Sequence, residues 1–131
     1  MGSSEKTLTS DLQAADTGPS KLKILRSYVD ERWAFAKQCH QAGGTGAEVV
    51  AALASSVDTL IASLYAEATR EHGKPRSGGY AIGALGGYGR GQFSPGSDID
   101  LLFLFGKVQE GDAVTRSVLH TLWDLRFEVG Y

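Results

Sequence analysis

Asp98 and Asp100 stand one residue apart, with Ile99 between them, and a glycine pair, Gly86-Gly87, lies a short polar connection upstream. In an extended segment side chains alternate, so both carboxylates point to one side while Ile99 points to the other. Their Cα atoms are then roughly 6–7 Å apart, a span that two metal ions about 3.5–4 Å apart can bridge. Glycines let main-chain N–H groups approach a polyphosphate, and a helix start behind them adds a favourable dipole. These parts suit attack of a hydroxyl on the α-phosphate of a nucleoside triphosphate. Carboxylate-held Mg²⁺ balances the phosphate charge while main-chain amides steady the leaving pyrophosphate. The reaction class is nucleotidyl transfer.

Two further side chains join the candidate site. Arg90 follows the glycine pair closely enough to reach a phosphate by charge-assisted hydrogen bonds; its bland alternative is a solvated turn arginine. Ser97, just before Asp98, either contacts phosphate or hydrogen-bonds the local backbone. The Asp pair has a bland alternative too, solvation of a strand entry. Two carboxylates at the mouth of an apolar strand repel each other unless a cation balances them, which favours the functional reading. A P-loop is excluded because Gly-x-x-x-x-Gly-Lys-[Ser/Thr] is absent, and no Gly-x-Gly-x-x-Gly with a distal acidic partner fits a Rossmann turn.

The bulk numbers place these residues in one globular domain. The chain has 131 residues, 42% hydrophobic and 21% charged, enough for an ordinary core and unlike a disordered chain. A net charge of −2 gives no support for a nucleic-acid partner, since such domains usually present a basic face. Cys39 is the single cysteine, so no internal disulfide can form, and a small buried apolar role is expected for it. His40, His72 and His120 lack zinc-ligand spacing and read as surface or helix-end residues. No run of about 18 apolar residues and no apolar signal core is apparent, so neither a membrane span nor secretion is expected; the reading is cytoplasmic.

The elements that must position the site are set by periodicity. Residues 1–19, rich in Ser, Thr, Asp and Gly, are expected to form a flexible tail, with the domain proper at 20–131. Ser20 is the expected cap of a helix over 20–41, with Leu22, Leu25, Val29, Trp33 and Ala36 on one face. Gly43-Gly44 stops it. Thr45 and Glu48 have capping-box spacing and open a helix over 45–72, ended by Gly73 and Pro75. Trp33, Phe35 and Tyr65 are expected in the core, and Lys74 to Gly78 as a polar loop. Buried strands are expected at 79–85 and 98–105, the second covered on both faces because it is almost wholly apolar. A short helix or turn joins them near Gly87. Asp112 is expected to cap a last helix over 112–129, with Val129 on its inner stripe, Gly130 as terminator, and Arg116 and Arg126 toward solvent. The fold class is α/β (α+β): a short mixed sheet flanked by helices, with an N-terminal helical hairpin.

With these residues in hand, the segment from Gly83 to Phe105 resembles the signature of the DNA polymerase β-type nucleotidyltransferase superfamily. The longer pattern, Gly86-Gly87-Tyr88-Gly89-Arg90-Gly91 followed by Ser97-Asp98-Ile99-Asp100-Leu101-Leu102, is similar to the N-terminal domain of the PII-protein uridylyltransferase/uridylyl-removing family. Leu122-Trp123-Asp124-Leu125 and Glu128-Val129-Gly130 extend the likeness. The resemblance implies transfer of UMP from UTP to a tyrosine hydroxyl of the nitrogen-signalling protein PII, with Mg²⁺ or Mn²⁺. It also implies that Gly86 and Gly87 hold the triphosphate and that Asp98 and Asp100 bind metal.

Departures from the family pattern shape the remaining expectations. Members supply a third carboxylate from a later strand, whereas Glu128 is expected on the last helix, away from Asp98. They are also far longer, so the sequence reads as an apparently truncated front part of such an enzyme, with an uncovered sheet edge prone to self-association. Two alternatives stay open: adenylyl or other nucleotidyl transfer on the same fold, and a non-catalytic nucleotide-binding or interaction module.

Overall fold

The computed structural model describes residues 2–75 and 79–131. Within them the chain runs α1 (Gly2–Ala14), α2 (Gly18–Gln41), α3 (Gly46–His72), β1 (Tyr80–Leu85), α4 (Gly86–Gly89), β2 (Ile99–Phe105), α5 (Val108–Asp124) and β3 (Val129–Gly130). The sheet has the order β1-β2-β3. β1 and β2 are antiparallel, with Gly83 opposite Leu102 and Leu85 opposite Asp100; β2 and β3 are parallel, with Ile99 beside Val129 and Asp100 beside Gly130. This is the mixed α/β architecture expected from the sequence.

α3 is the central beam. Thr45 accepts a hydrogen bond from the Glu48 N–H at 3.1 Å, and Gly73, at φ 83°, ends the helix by donating to the Thr69 carbonyl at 2.8 Å. Leu53, Val57, Leu60 and Leu64 recur at helical spacing and are buried. Each such burial is worth about 1.5–3 kcal/mol relative to exposure. Around them gather Leu25 and Ala36 of α2, Phe93, Ile99 and Leu101, and Val114, Val118 and Leu122 of α5. α3 is the one described helix long and apolar enough to cross a membrane, which the sequence reading passes over. Half of that window is buried by neighbouring helices and the sheet, which is the packing of a core helix.

Several expectations change. The flexible tail expected over 1–19 is largely helical where it is described: α1 occupies Gly2–Ala14, and Leu8 and Leu12, one turn apart, are buried against α3. The cap of α2 is Thr17, which accepts from the Ser20 N–H at 3.2 Å, so Gly18-Pro19 belongs to the first turn, where proline's missing N–H costs nothing. Phe35 is 46% exposed beneath the Arg32 guanidinium and is not core, whereas Trp33 and Tyr65 do pack inward. Cys39 is only half-buried. α5 starts four residues before Asp112, which instead pairs with Arg116 at 3.0 Å on the surface. Of the polar loop expected over 74–78, residues 76–78 lie outside the described residues.

The largest correction concerns β2 and the segment after α5. β2 is covered on one face only: Ile99 and Leu101 are buried, while Leu102 and Leu104 are 44% and 55% exposed. α5 ends at Asp124, and Val129 and Gly130 form a strand rather than a helical stripe and its terminator. Arg126 makes the stop. It sits at φ 69°, the left-handed region, and donates its N–H to the Trp123 carbonyl at 2.9 Å. The Phe127 N–H donates to the Leu122 carbonyl at 3.0 Å, completing a Schellman motif. A left-handed residue with a Cβ costs roughly 1–2 kcal/mol, which is why glycine is usual there.

Candidate active site

The site lies where β1 turns into α4, against the first residues of β2. Leu85 is the last β1 residue and pairs with Asp100. The next residue, Gly86, has φ 61°, and a Cβ there would fall 2.7 Å from Asp100 Oδ2. On the other side, a Cβ on Gly130 would collide with Asp100 Oδ1. The Asp100 carboxylate is therefore seated between two stretches of main chain that approach it only because neither carries a side chain. Half-buried Asp100 lies on the uncovered face of the sheet, and Asp98, just before β2, is exposed.

The neighbouring groups divide in two. On the β1 side, the Arg90 guanidinium lies beside Gly87, its Nη2 3.8 Å from where a Gly87 Cβ would be. The short helix α4 is closed by the Arg90 N–H, which reaches the Gly86 and Gly87 carbonyls at 3.1 and 3.2 Å. On the β3 side, Ser97 leaves the Asp100 cluster and lines a separate cavity with Gly96, Arg126 and Glu128. The structure thus joins Gly86 to Asp100 and Arg90 to Gly87, and sets Ser97 apart.

Tyr88 and Glu128 do not stand out as contributors in the sequence. Tyr88, between the glycines of α4, is buried and donates to Asp58 of α3 at 2.6 Å, fastening the turn to the central helix. Burial pushes its phenol above the ordinary tyrosine range, and the hydrogen bond and charge of Asp58 push it further. An aromatic residue inside a run of glycines is the signal for such an anchor. Glu128 does not sit on the last helix, as the sequence suggests. It directly precedes β3, and its carbonyl accepts the Ile99 N–H at 2.9 Å, which puts it beside Asp98.

The donor set fits a metal of one kind. Among the described residues no group of three or more His, Cys, Asp or Glu side chains can enclose an ion. Asp98 and Asp100 offer hard oxygen donors at the start of β2, and neither forms an ion pair with a described lysine, arginine or histidine. Mg²⁺ commonly keeps several waters and takes one or two carboxylates plus substrate phosphate, which this pair can supply. A wholly protein-built cage does not fit.

Comparison with known proteins agrees with this geometry. Residues 65–129 match the family described as nucleotidyltransferase domain. A bifunctional uridylyltransferase/uridylyl-removing enzyme of Phenylobacterium zucineum is 34% identical over 116 residues, which is 84% of this chain and 12% of that protein. The protein of that name from Rhodospirillum rubrum is 34% identical over 122 residues, 87% of this chain and 12% of its own length. One from Bradyrhizobium diazoefficiens is 42% identical over 80 residues, 56% of this chain and 9% of the relative. The chain thus spans about an eighth or less of the length of these relatives. No solved structure matches it significantly.

Proposed function

From the chain's membership of the nucleotidyltransferase domain family, we propose that it serves transfer of UMP from UTP to a tyrosine hydroxyl of the nitrogen-signalling protein PII. The observation that carries this reading is the contact of Asp100 with Gly86, which brings the two halves of the motif to one point. Asp98 and Asp100 would hold Mg²⁺ or Mn²⁺, which when bound supplies positive charge at the α-phosphate. The main chain of Gly86 and Gly87, with the Arg90 guanidinium, faces the β- and γ-phosphates and steadies the pyrophosphate as it leaves. The tyrosine oxygen bonds to the α-phosphorus, the bond to the bridging oxygen breaks, and the phenolic proton passes to solvent or a nearby base.

Isothermal titration of UTP with Mg²⁺ into the wild type and into an Asp98→Asn/Asp100→Asn variant tests the binding half. Heat from the wild type and its loss in the variant is expected; equal heats overturn the assignment. Incorporation of labelled UMP into PII tests the transfer half. A second reading, nucleotide binding without catalysis, is favoured by the absence of a third carboxylate from the described cluster. Binding without incorporation would select it. Competition between UTP and ATP distinguishes uridylyl from adenylyl transfer.

A further inference from the structure

A cavity of about 320 Å³ opens on the β3 side of Asp98, between α2, the turn at 93–97 and the connection from α5 to β3. Its inner wall is aromatic. Trp33 packs against Phe93 and Phe127, with ring centroids 6.0 and 5.8 Å apart. Its rim is polar, formed by Ser97, Arg126 and Glu128, all exposed.

Arg126 is the anomaly. It occupies the left-handed position of the Schellman motif, where glycine fits without strain. Its guanidinium forms no hydrogen bond or ion pair with any described residue, so the side chain returns nothing to the fold for that strain. Glu128, two residues on, likewise forms no ion pair with any described residue, although the two charges are near in sequence. Strained backbone bearing an unused charged group beside a cavity is the mark of a ligand contact.

The chemistry of the rim selects the ligand. A guanidinium donates to carbonyl oxygens, and a carboxylate accepts from a ring N–H. Uracil offers that combination, an N–H flanked by two carbonyls; cytosine offers a bare ring nitrogen and an amino group in its place. The position is also suitable. Gly86 flanks Asp100 at the end of β1, with Arg90 beside Gly87, while Glu128 stands next to Asp98 just before β3, a separation of roughly 10 Å across two strand spacings, which a nucleoside triphosphate can bridge.

We infer that this cavity reads the base of the donor nucleotide as a uracil imide, with Arg126 donating to a carbonyl oxygen, Glu128 accepting the ring N–H and Ser97 at the mouth toward the ribose. The inference rests on the reading of Asp98 and Asp100 as the end that holds the triphosphate. Arg126→Gly is the informative variant because it relieves the backbone strain and so does not endanger folding. Titrations of UTP and CTP with Mg²⁺ into the 131-residue chain are compared for the wild type, Arg126→Gly and Glu128→Gln. The expected result is a preference for UTP that falls about tenfold in both variants. The Arg126→Gly variant should melt at or above the wild-type Tm. An unchanged UTP-to-CTP ratio, with binding that still requires Asp98 and Asp100, overturns the base pocket alone. Failure of the wild type to bind any nucleotide overturns the base pocket together with the triphosphate site.

Discussion

The two faces of β2 carry nearly the same hydrophobic content and meet opposite surroundings. Ile99, Leu101 and Phe103 point to the helices, where Ile99 and Leu101 are almost wholly shielded. Asp100, Leu102 and Leu104 point away, opposite Leu85, Gly83 and Ala81 of β1, and Leu102 and Leu104 stay exposed. One face is assembled for packing and the other for access. The small residues facing Leu102 and Leu104 keep the open side low and leave this side of the strand accessible. Apolar content alone does not report how many sides of a strand are covered.

The largest test of that contrast is Leu101→Ala against Leu102→Ala. The first should cost about 2–5 kcal/mol in urea unfolding, because it empties a closed space beneath the sheet. The second should cost less than about 1 kcal/mol and should reduce self-association in light scattering, since it trims exposed apolar surface. Equal costs would erase the distinction between the faces. Next comes Gly86→Ala. The left-handed backbone adds about 1–2 kcal/mol of strain, and the new methyl displaces Asp100, so calorimetry should show lost stability alongside weakened Mg²⁺-UTP binding.

Tyr88→Phe probes the fastening of the open-face turn to the helical layer, at about 1–2 kcal/mol. The folded phenol titrates above its unfolded value of 10.0, so its contribution is complete below pH 10 and lost as pH rises through the folded pKa. Tm measured from pH 8 to 11 should therefore fall less steeply in the variant. The smallest effect belongs to Glu67, which accepts from Arg70 and from Lys21 of α2. Burial alone would raise its pKa, but the hydrogen bonds from Arg70 and Lys21 outweigh it and hold the carboxyl below the ordinary 4.5. Its contribution is present above pH 4.5 and disappears as pH falls through the lowered value. Glu67→Gln should cost about 0.5 kcal/mol at neutral pH and almost nothing in acid, measured as Tm against pH.

Much of the fold is legible in the sequence where one local signal has one meaning. Thr45 and Gly73 mark the ends of α3 because capping and left-handed termination are satisfied within a few residues. The apolar Ile99 between the two aspartates likewise turns into the core, as alternation predicts. The features that escape depend on distant partners. Leu8 and Leu12 are only two apolar residues among serines and threonines, and they make a helix because α3 offers them a surface. β3 escapes because its stop signal is an arginine in a glycine position, and Val129 continues the helical stripe of α5 in the sequence alone. Glu128 therefore reads as part of the wrong element, and the cavity beside it leaves no mark in the sequence.

The seat of Asp100 between two bare backbones has one more consequence. A carboxylate so confined has already surrendered its rotational freedom when the chain folds, so capturing an ion there demands little further ordering. Asp98, out in solvent, is under no such confinement. If the pair binds metal as proposed, it would work as an anvil and a hinged jaw: the first carboxylate would dictate where a cation rests, and the second would adjust to the coordination shell that arrives with it. Lengthening the rigid member by a single methylene would leave no room for it, whereas the loose one has slack to spare.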